Sequence, residues 1–195
     1  MIKIENVHVY GIQNAIYALR APLQSWELSD SNDATIGEKD YKLMKQLISA
    51  GTDHSKFLRY IAFDCIITAP IYWWKEMDTY KVGTVRTSTS TMHTITKKPF
   101  LPNDFSWEGL NNNEINTLLR LLNERRNKYL DSKDKDEWKA LIQILPESYN
   151  QISVWSANYT VLRNIYKSRK YHKLTEWEGF CNMIERLPYS SLITS

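Results

Sequence analysis

The chain has 195 residues, of which 43% are hydrophobic and 12% aromatic, enough apolar side chain for one packed globular domain. Its formal net charge of +3 is too small for a general nucleic-acid-binding protein. No stretch approaches the roughly 18 consecutive apolar residues of a membrane span, and charged residues near the N-terminus exclude the apolar core of a signal peptide. The composition therefore predicts a cytoplasmic protein with a single domain over residues 1–195.

The two cysteines predict no metal site. Neither Cys65 nor Cys181 has a second Cys or a His at the spacing that zinc needs. Both lie in predicted core elements, so we expect buried thiols in a reducing compartment.

The first elements follow from apolar periodicity and turn residues. Alternation over residues 2–9 predicts a strand, which Asn6 interrupts. A helix is predicted to open at Gly11 and to end before Pro22. Residues 25–39 are polar and turn-rich, which predicts a mobile loop of the kind that serves as a lid or a partner contact.

A second helix, closed by Gly51, precedes the strongest strand signal, at residues 57–69. Its density of β-branched and aromatic residues predicts a central strand buried on much of both faces. Pro70 then suits the start of a short helix. We expect Trp73 and Trp74 of that helix to lie in the core or in a subunit interface rather than to form a base-stacking platform.

Six of the eight residues from Thr84 to Thr91 are Ser or Thr. Such a hydroxyl cluster offers donors and acceptors with little bulk, which suits contact with a phosphate or a nucleoside. The alternative is a threonine-rich edge strand followed by a turn. His93, beside the cluster, has the chemistry of a general base, although a lone histidine is more often structural.

The second half of the sequence indicates helices. Apolar residues at helical spacing begin at Ile115, and mixed charges over 124–139 indicate a solvated face and its connecting turn. A long helix is predicted over 148–170 and a last helix over 175–187. The whole pattern predicts an α+β fold.

Four short segments, in their order and spacing, resemble the flavin-dependent thymidylate synthases, the family also called ThyX. Ala69-Pro70 matches the Ala-Pro that ends a strand in that family. Leu145-Pro146 matches its later Leu-Pro, with Asn158 twelve residues after the proline and Arg169 eleven residues further on. In the family these last two positions line the nucleotide site and its phosphate end.

The resemblance spans residues 50–95 and 145–187 and implies a ThyX-like domain with a small, mostly antiparallel sheet packed by helices and a helical C-terminal half. It also implies a homotetramer whose sites are built from several subunits. The chain further resembles proteins of phage and prophage genomes that share its pattern from Tyr80 to His93. That setting suggests a protein that sequesters a nucleotide-derived ligand.

The family signature, Arg-His-Arg-x-x-Ser-x-Asn-Glu-x-Ser-x-Arg-Tyr, is poorly retained. Thr79-Tyr80-Lys81 stands where the family has the Arg-His-Arg that holds flavin. Ser88 replaces the glutamate, Ser90 takes the last serine, and His93 replaces the tyrosine. A lysine does not replace the planar fork of an arginine, so the resemblance implies that ordinary flavin chemistry is lost.

The sequence therefore predicts a nucleotide-binding protein with no bound cofactor, no catalytic residue and no membrane partner. The predicted ligand-binding residues are Tyr80, Lys81, Arg86, Ser88, Ser90, His93, Asn158 and Arg169. For the other cations near Arg169 we expect a solvated helix end. One alternative is an active, divergent FAD-dependent thymidylate synthase acting on dUMP, or another nucleotide-modifying enzyme, with a flavin site rebuilt from Lys81, Arg86 and His93. A structural oligomer without a ligand is a third possibility.

Overall fold

The computed structural model describes residues 2–33 and 35–195. In chain order its elements are β1 (Lys3–Tyr10), α1 (Ile12–Arg20), α2 (Glu38–Ser49), β2 (Ala62–Pro70), α3 (Ile71–Met77), β3 (Val85–Ser88), α4 (Thr91–Thr94), α5 (Asn112–Ser132), α6 (Lys135–Ile144), β4 (Asn150–Asn158), α7 (Tyr159–Arg169), α8 (Thr175–Glu185) and α9 (Ser191–Thr194). Short 3-10 turns lie at Ala21–Leu23, Trp26–Leu28, Lys56–Tyr60 and Pro102–Asp104.

The four strands form an antiparallel sheet in the order β1-β2-β4-β3, which confirms the predicted α+β class. Strand β2 is an inner strand, as predicted. Its side chains alternate between a buried row, which includes Phe63 and Cys65, and a half-buried row. The strand is shorter than predicted, because Lys56–Tyr60 forms a 3-10 turn and only from Ala62 does the backbone join the sheet.

The chain divides into two compact units. Unit 1 comprises the chain up to Lys3 together with residues 67–79 and 87–153, and unit 2 comprises residues 4–66, 80–86 and 154–195. The single domain expected over the whole chain stays a prediction.

In unit 1 the tryptophans of α3 are core residues. Trp73 and Trp74 are 0% and 1% exposed, and their rings meet edge to face with centroids 5.0 Å apart. The indole N–H of Trp74 donates to the carbonyl oxygen of Gln151 at 3.0 Å. The burial of both side chains confirms the expectation that this pair serves packing rather than base stacking.

The helix predicted over 148–170 is wrong in its first half, where the chain forms β4 before α7 begins. Along β4 the residues Ser153, Trp155 and Ala157 are buried and their neighbours are not, which is the two-residue period of a strand. The aromatic ring of Trp155 packs edge to face on Phe63 of β2, with centroids 6.1 Å apart. The C-terminal half is therefore not continuously helical, because β4 completes the sheet beside the inner strand.

Unit 2 contains a buried ion pair between α1 and α2. Arg20 and Asp40 are 7% and 0% exposed, and the Arg20 Nε donates to Oδ1 of Asp40 at 2.8 Å. The hydroxyls of Ser29 and Ser31 donate to the other carboxylate oxygen at 2.5 and 2.6 Å.

The bonds from Ser29 and Ser31 hold part of the segment 25–39 against α2. The sequence predicted this segment to be a mobile loop. The carboxylate of Asp30 adds to them by accepting the backbone N–H groups of Lys39 and Asp40 at 2.9 and 3.1 Å, at the start of α2. Ala34, within the same segment, lies outside the described residues.

In the described part of the chain, no helix is long and apolar enough to cross a membrane, and no group of three or more His, Cys, Asp or Glu side chains could hold a metal ion. Burial raises the pKa of Cys65 to about 12 and that of Cys181 to about 11. Both thiols are thus protonated at neutral pH and behave as the buried apolar groups that the sequence predicted. The cytoplasmic location stays a prediction.

Replacing Asp40 by Asn should leave Arg20 as a buried cation without its counter-charge. Removing one partner of a buried pair typically costs about 3–5 kcal/mol, so we expect a loss of this order in the free energy of unfolding by urea. The matched control is Asp53→Asn, because Asp53 is 92% exposed and its ion pair with Lys56 spans 3.9 Å. We expect little change in that variant.

The stabilisation by Asp40 should also depend on pH. Burial raises the pKa of Asp40, but the hydrogen bonds from Ser29, Ser31 and Arg20 outweigh burial, and the net pKa lies below its usual value. A carboxyl whose pKa is lower in the folded state stabilises above its unfolded pKa of about 3.9 and loses that contribution as the pH falls through the folded pKa. On acidification to about pH 3, the parent should therefore lose more stability than Asp40→Asn. Parallel pH profiles for the two proteins would contradict this assignment.

Gly11→Ala should destabilise unit 2, because Gly11 has a left-handed backbone conformation and lies close to the backbone of Tyr60. Its φ is +80°, and an added Cβ would lie 2.2 Å from the carbonyl oxygen of Tyr60. Gly51, with φ +115° and no atom within 4 Å of an added Cβ, is the matched control for backbone strain alone. We expect Gly11→Ala to cost more than about 2 kcal/mol in urea unfolding and Gly51→Ala clearly less. Equal losses would show that the contact with Tyr60 is unimportant.

Candidate nucleotide-binding site

Arg169 ends α7 in unit 2, where its guanidinium lies against two aromatic rings. Its Cζ is 4.8 Å from the ring centroid of Trp177 and 5.6 Å from that of Tyr80. The Arg169 Nε donates to the hydroxyl oxygen of Tyr80 at 3.0 Å. Trp177 is fully buried, whereas Arg169 and Tyr80 are half-buried. Stacking and the hydrogen bond together fix the orientation of the positive charge close to the surface.

The turn that carries Tyr80 packs against the start of α7. The hydroxyl of Thr84 donates to the carbonyl oxygen of Tyr80 at 2.6 Å, which closes the turn. Gly83 within it has φ +77°, and an added Cβ would lie 3.2 Å from the side-chain nitrogen of Asn158. Asn158 in turn caps α7, because its side-chain oxygen accepts the backbone N–H of Val161 at 3.1 Å. The structure thus gives Asn158 a helix-capping role.

The neighbouring cations have structural partners. One guanidinium nitrogen of Arg163 lies 3.3 Å from the carbonyl oxygens of both Leu192 and Ile193, to which it donates, and so it holds α9. Lys170 pairs with Glu185, and hydrogen bonds from Lys170 and Tyr166 lower the pKa of that carboxyl. Lys170 also lies over the ring of Tyr166, 5.1 Å from its centroid. These contacts agree with the expectation that most of this basic cluster serves the helix end.

The remaining predicted residues lie on or near β3, the short edge strand. Lys81 is exposed and Arg86 half-buried, both in unit 2. Ser88, Ser90 and His93 are exposed and belong to unit 1. The secondary structure here is the threonine-rich edge strand and turn that the sequence offered as an alternative. The ligand-binding roles of all eight residues stay predictions.

Sequence reasoning missed a cavity of about 470 Å³ in unit 2, between α1, α2 and the 3-10 turn Lys56–Tyr60. Its lining is mostly apolar, and its polar members are Ser25, Asp53, His54, Lys56 and Tyr60. Small-molecule sites typically have about 300–1,000 Å³ and this mixture of apolar walls with a few polar groups. None of the eight predicted residues is among those that line it. Leu43 and Leu47 do line it, but their helical spacing is that of core residues and does not indicate a cavity.

Among solved structures, the fold is similar to thymidylate synthase X (ThyX) from Helicobacter pylori. A structure of that protein with FAD and dUMP at 2.31 Å has a TM-score of 0.80 and 19% identity, covering 100% of this chain and 97% of the other. A second complex of ThyX from Helicobacter pylori with FAD and dUMP has a TM-score of 0.78 and 21% identity, covering 98% and 97%. No family model matches the sequence, and no curated protein matches it.

These structures contradict the expectation of a protein without a cofactor, because both are complexes with FAD and dUMP. The missing Arg-His-Arg motif was therefore not a sufficient basis for that expectation. Over nearly its whole length, this chain has the fold of ThyX.

Proposed function

We propose that this protein binds a phosphorylated nucleotide, with Arg169 as the residue that contacts the phosphate. The observation that carries the proposal is the fixed position of the Arg169 guanidinium against Tyr80 and Trp177. A guanidinium held in one plane suits the charge-assisted, often bidentate pairing with phosphate oxygens. The fold supports the same ligand class, because dUMP and FAD in the similar structures are both phosphorylated nucleotides.

Tyr80 adds a second polar contact to this proposal. Its oxygen accepts the Nε–H of Arg169, so its own hydroxyl proton can be donated to a ligand oxygen. The pair would then present a cation and a neutral donor to one phosphate group.

The proposal includes FAD among the ligands. The cavity of about 470 Å³ has apolar walls suited to a ring system, and His54 and Lys56 supply polar groups beside them. A bound flavin would bring its own redox chemistry, whereas the protein would supply binding and orientation.

Loss of thymidylate synthesis is a further part of the proposal. Thr79 and Tyr80 stand where the resemblance to ThyX places an arginine and a histidine, and Tyr80 is engaged with Arg169. Orientation of the flavin supplies much of the rate enhancement in such a reaction, and these residues offer neither the charge nor the reach. A protein that keeps nucleotide binding after catalysis is lost would be suited to sequester a nucleotide-derived ligand, as we propose for a phage protein.

The second candidate function is an active, divergent flavin enzyme that acts on a nucleotide. It is favoured by one observation, the likeness over nearly the whole chain to structures that contain FAD and dUMP together. The homotetramer expected from the family resemblance belongs to either proposal.

Arg169→Ala should weaken nucleotide binding at least about tenfold, a change of about 1.4 kcal/mol, because a charge-assisted contact is lost. Arg169→Lys should also weaken binding, since the charge remains but the planar fork is lost. Isothermal titration with dUMP and with FAD measures both effects. Lys167→Ala is the matched control, because Lys167 is an exposed cation on the same helix and should leave affinity unchanged. Unchanged affinity in Arg169→Ala, or no affinity in the parent, would refute the assignment.

A thymidine-requiring bacterium distinguishes the two candidate functions. We expect expression of this protein to leave the strain dependent on thymidine, because the residues that should orient the flavin are replaced. ThyX from Helicobacter pylori, expressed at the same level, is the positive control. Growth without thymidine would establish the enzyme and overturn the proposed loss of catalysis.

A further inference from the structure

The buried indole of Trp177 contacts a further polar side chain of unit 2, that of His172. The two rings meet edge to face, with their centroids 6.3 Å apart. The Cζ of Arg169 lies 4.8 Å from the same indole centroid, and the phenol ring of Tyr80 meets the indole edge to face at 6.3 Å. Three polar side chains therefore surround one fully buried ring, which brings them into a single small region of unit 2.

The backbone holds His172 beside Arg169. The backbone N–H of His172 donates to the carbonyl oxygen of Arg169 at 3.0 Å, directly after α7 ends. The imidazole itself is half-buried and lies against Trp177. Because both the backbone and the ring are held, little order would have to be gained when a ligand binds.

A hydrogen bond determines which nitrogen of the His172 ring carries the proton. The Nδ1 atom accepts the backbone N–H of Leu174 at 3.2 Å. A nitrogen that accepts a hydrogen bond presents its lone pair to the donor, so the proton of the neutral ring lies on Nε2. His172 is thereby a hydrogen-bond donor through Nε2, at the far end of a rigid ring.

The three side chains around Trp177 offer donors to a ligand. A guanidinium has no acceptor atom, the oxygen of Tyr80 already accepts the Nε–H of Arg169, and Nδ1 of His172 accepts from Leu174. The edge of a base presents donors and acceptors together, whereas an ionised phosphate presents acceptor oxygens. This set of donors therefore matches a phosphate better than it matches a base.

We infer that His172 is a second phosphate-binding residue of the Arg169 site, with its Nε2–H donating to a phosphate oxygen of the bound nucleotide. Arg169 supplies the positive charge, and the neutral donors of Tyr80 and His172 fix the orientation of the phosphate group. The inference depends on the proposed function, because it requires a phosphate at Arg169.

Two variants separate the ligand contact of His172 from its structural bond. In His172→Asn the side-chain oxygen can still accept the N–H of Leu174, but nothing replaces Nε2. In His172→Gln the longer side chain can supply an N–H about where Nε2 lies. We expect His172→Asn to weaken dUMP binding about tenfold, because a hydrogen bond to a charged group is lost, and His172→Gln to retain most of the affinity.

The measurement is isothermal titration with dUMP and with deoxyuridine, which has no phosphate. Affinity for deoxyuridine and stability in urea should be the same in His172→Asn as in the parent. His8→Asn is the matched control, because it makes the same substitution at an exposed histidine of β1, and it should leave both affinities unchanged.

Three results would overturn the inference: full dUMP affinity in His172→Asn, an equal loss in His172→Gln, or an equal loss of dUMP and deoxyuridine affinity in His172→Asn. The proposed function fails separately. If the parent binds dUMP no more tightly than deoxyuridine, no phosphate is recognised and both proposals fall. If Arg169→Ala abolishes the preference for dUMP and His172→Asn keeps it, the proposed function stands and only the role of His172 is refuted.

Discussion

The buried pair of Arg20 and Asp40 is the constraint on which the N-terminal half of unit 2 depends. Two charges removed from water are tolerated only when every lone pair and proton finds a partner. Here the carboxylate accepts from the guanidinium and from two serine hydroxyls, so α1, α2 and the segment between them are held at one point. Because that segment also lines the cavity of about 470 Å³, one ionic contact positions the cavity in which we propose that FAD binds.

Arg169 shows how the same chain positions a charge without burying it. Its guanidinium is stacked on a fully buried tryptophan, and its Nε is bonded to a tyrosine from a distant turn. Such a contact avoids most of the desolvation cost that Arg20 bears, and it leaves the cation close to water and to ligands. The contrast is the physical basis for assigning structure to one arginine and binding to the other.

The expectation of no cofactor rested on a missing sequence motif, and the similarity of the fold to FAD-containing structures contradicts it. Replacement of Arg-His-Arg by Thr79-Tyr80-Lys81 argued against a flavin, yet the fold is shared with proteins that hold FAD. A ligand of that size is bound by many contacts spread over several elements, so the loss of three side chains does not decide whether it binds. Residues that line a cavity can also escape notice in a sequence. Leu43 and Leu47 of α2 line the cavity of about 470 Å³, yet their spacing is that of ordinary core residues.

The sequence by itself determined the elements whose signals are local: α1 after Gly11, the short helix after Pro70, α5 and the inner position of β2. These elements follow from side-chain periodicity and from capping residues within a few positions. Short-range hydrogen bonds and steric limits act directly on such local features. Only the tertiary structure decided that β4 is a strand. The apolar residues Ile152, Trp155 and Tyr159 fit a helix as well as a strand, and pairing in the sheet settles the choice. Likewise, Tyr80 and Arg169 are 89 positions apart in the sequence, and Arg20 and Asp40 are 20 apart. Packing of whole elements brings each pair together. Such contacts depend on burial between distant segments, which no local pattern encodes.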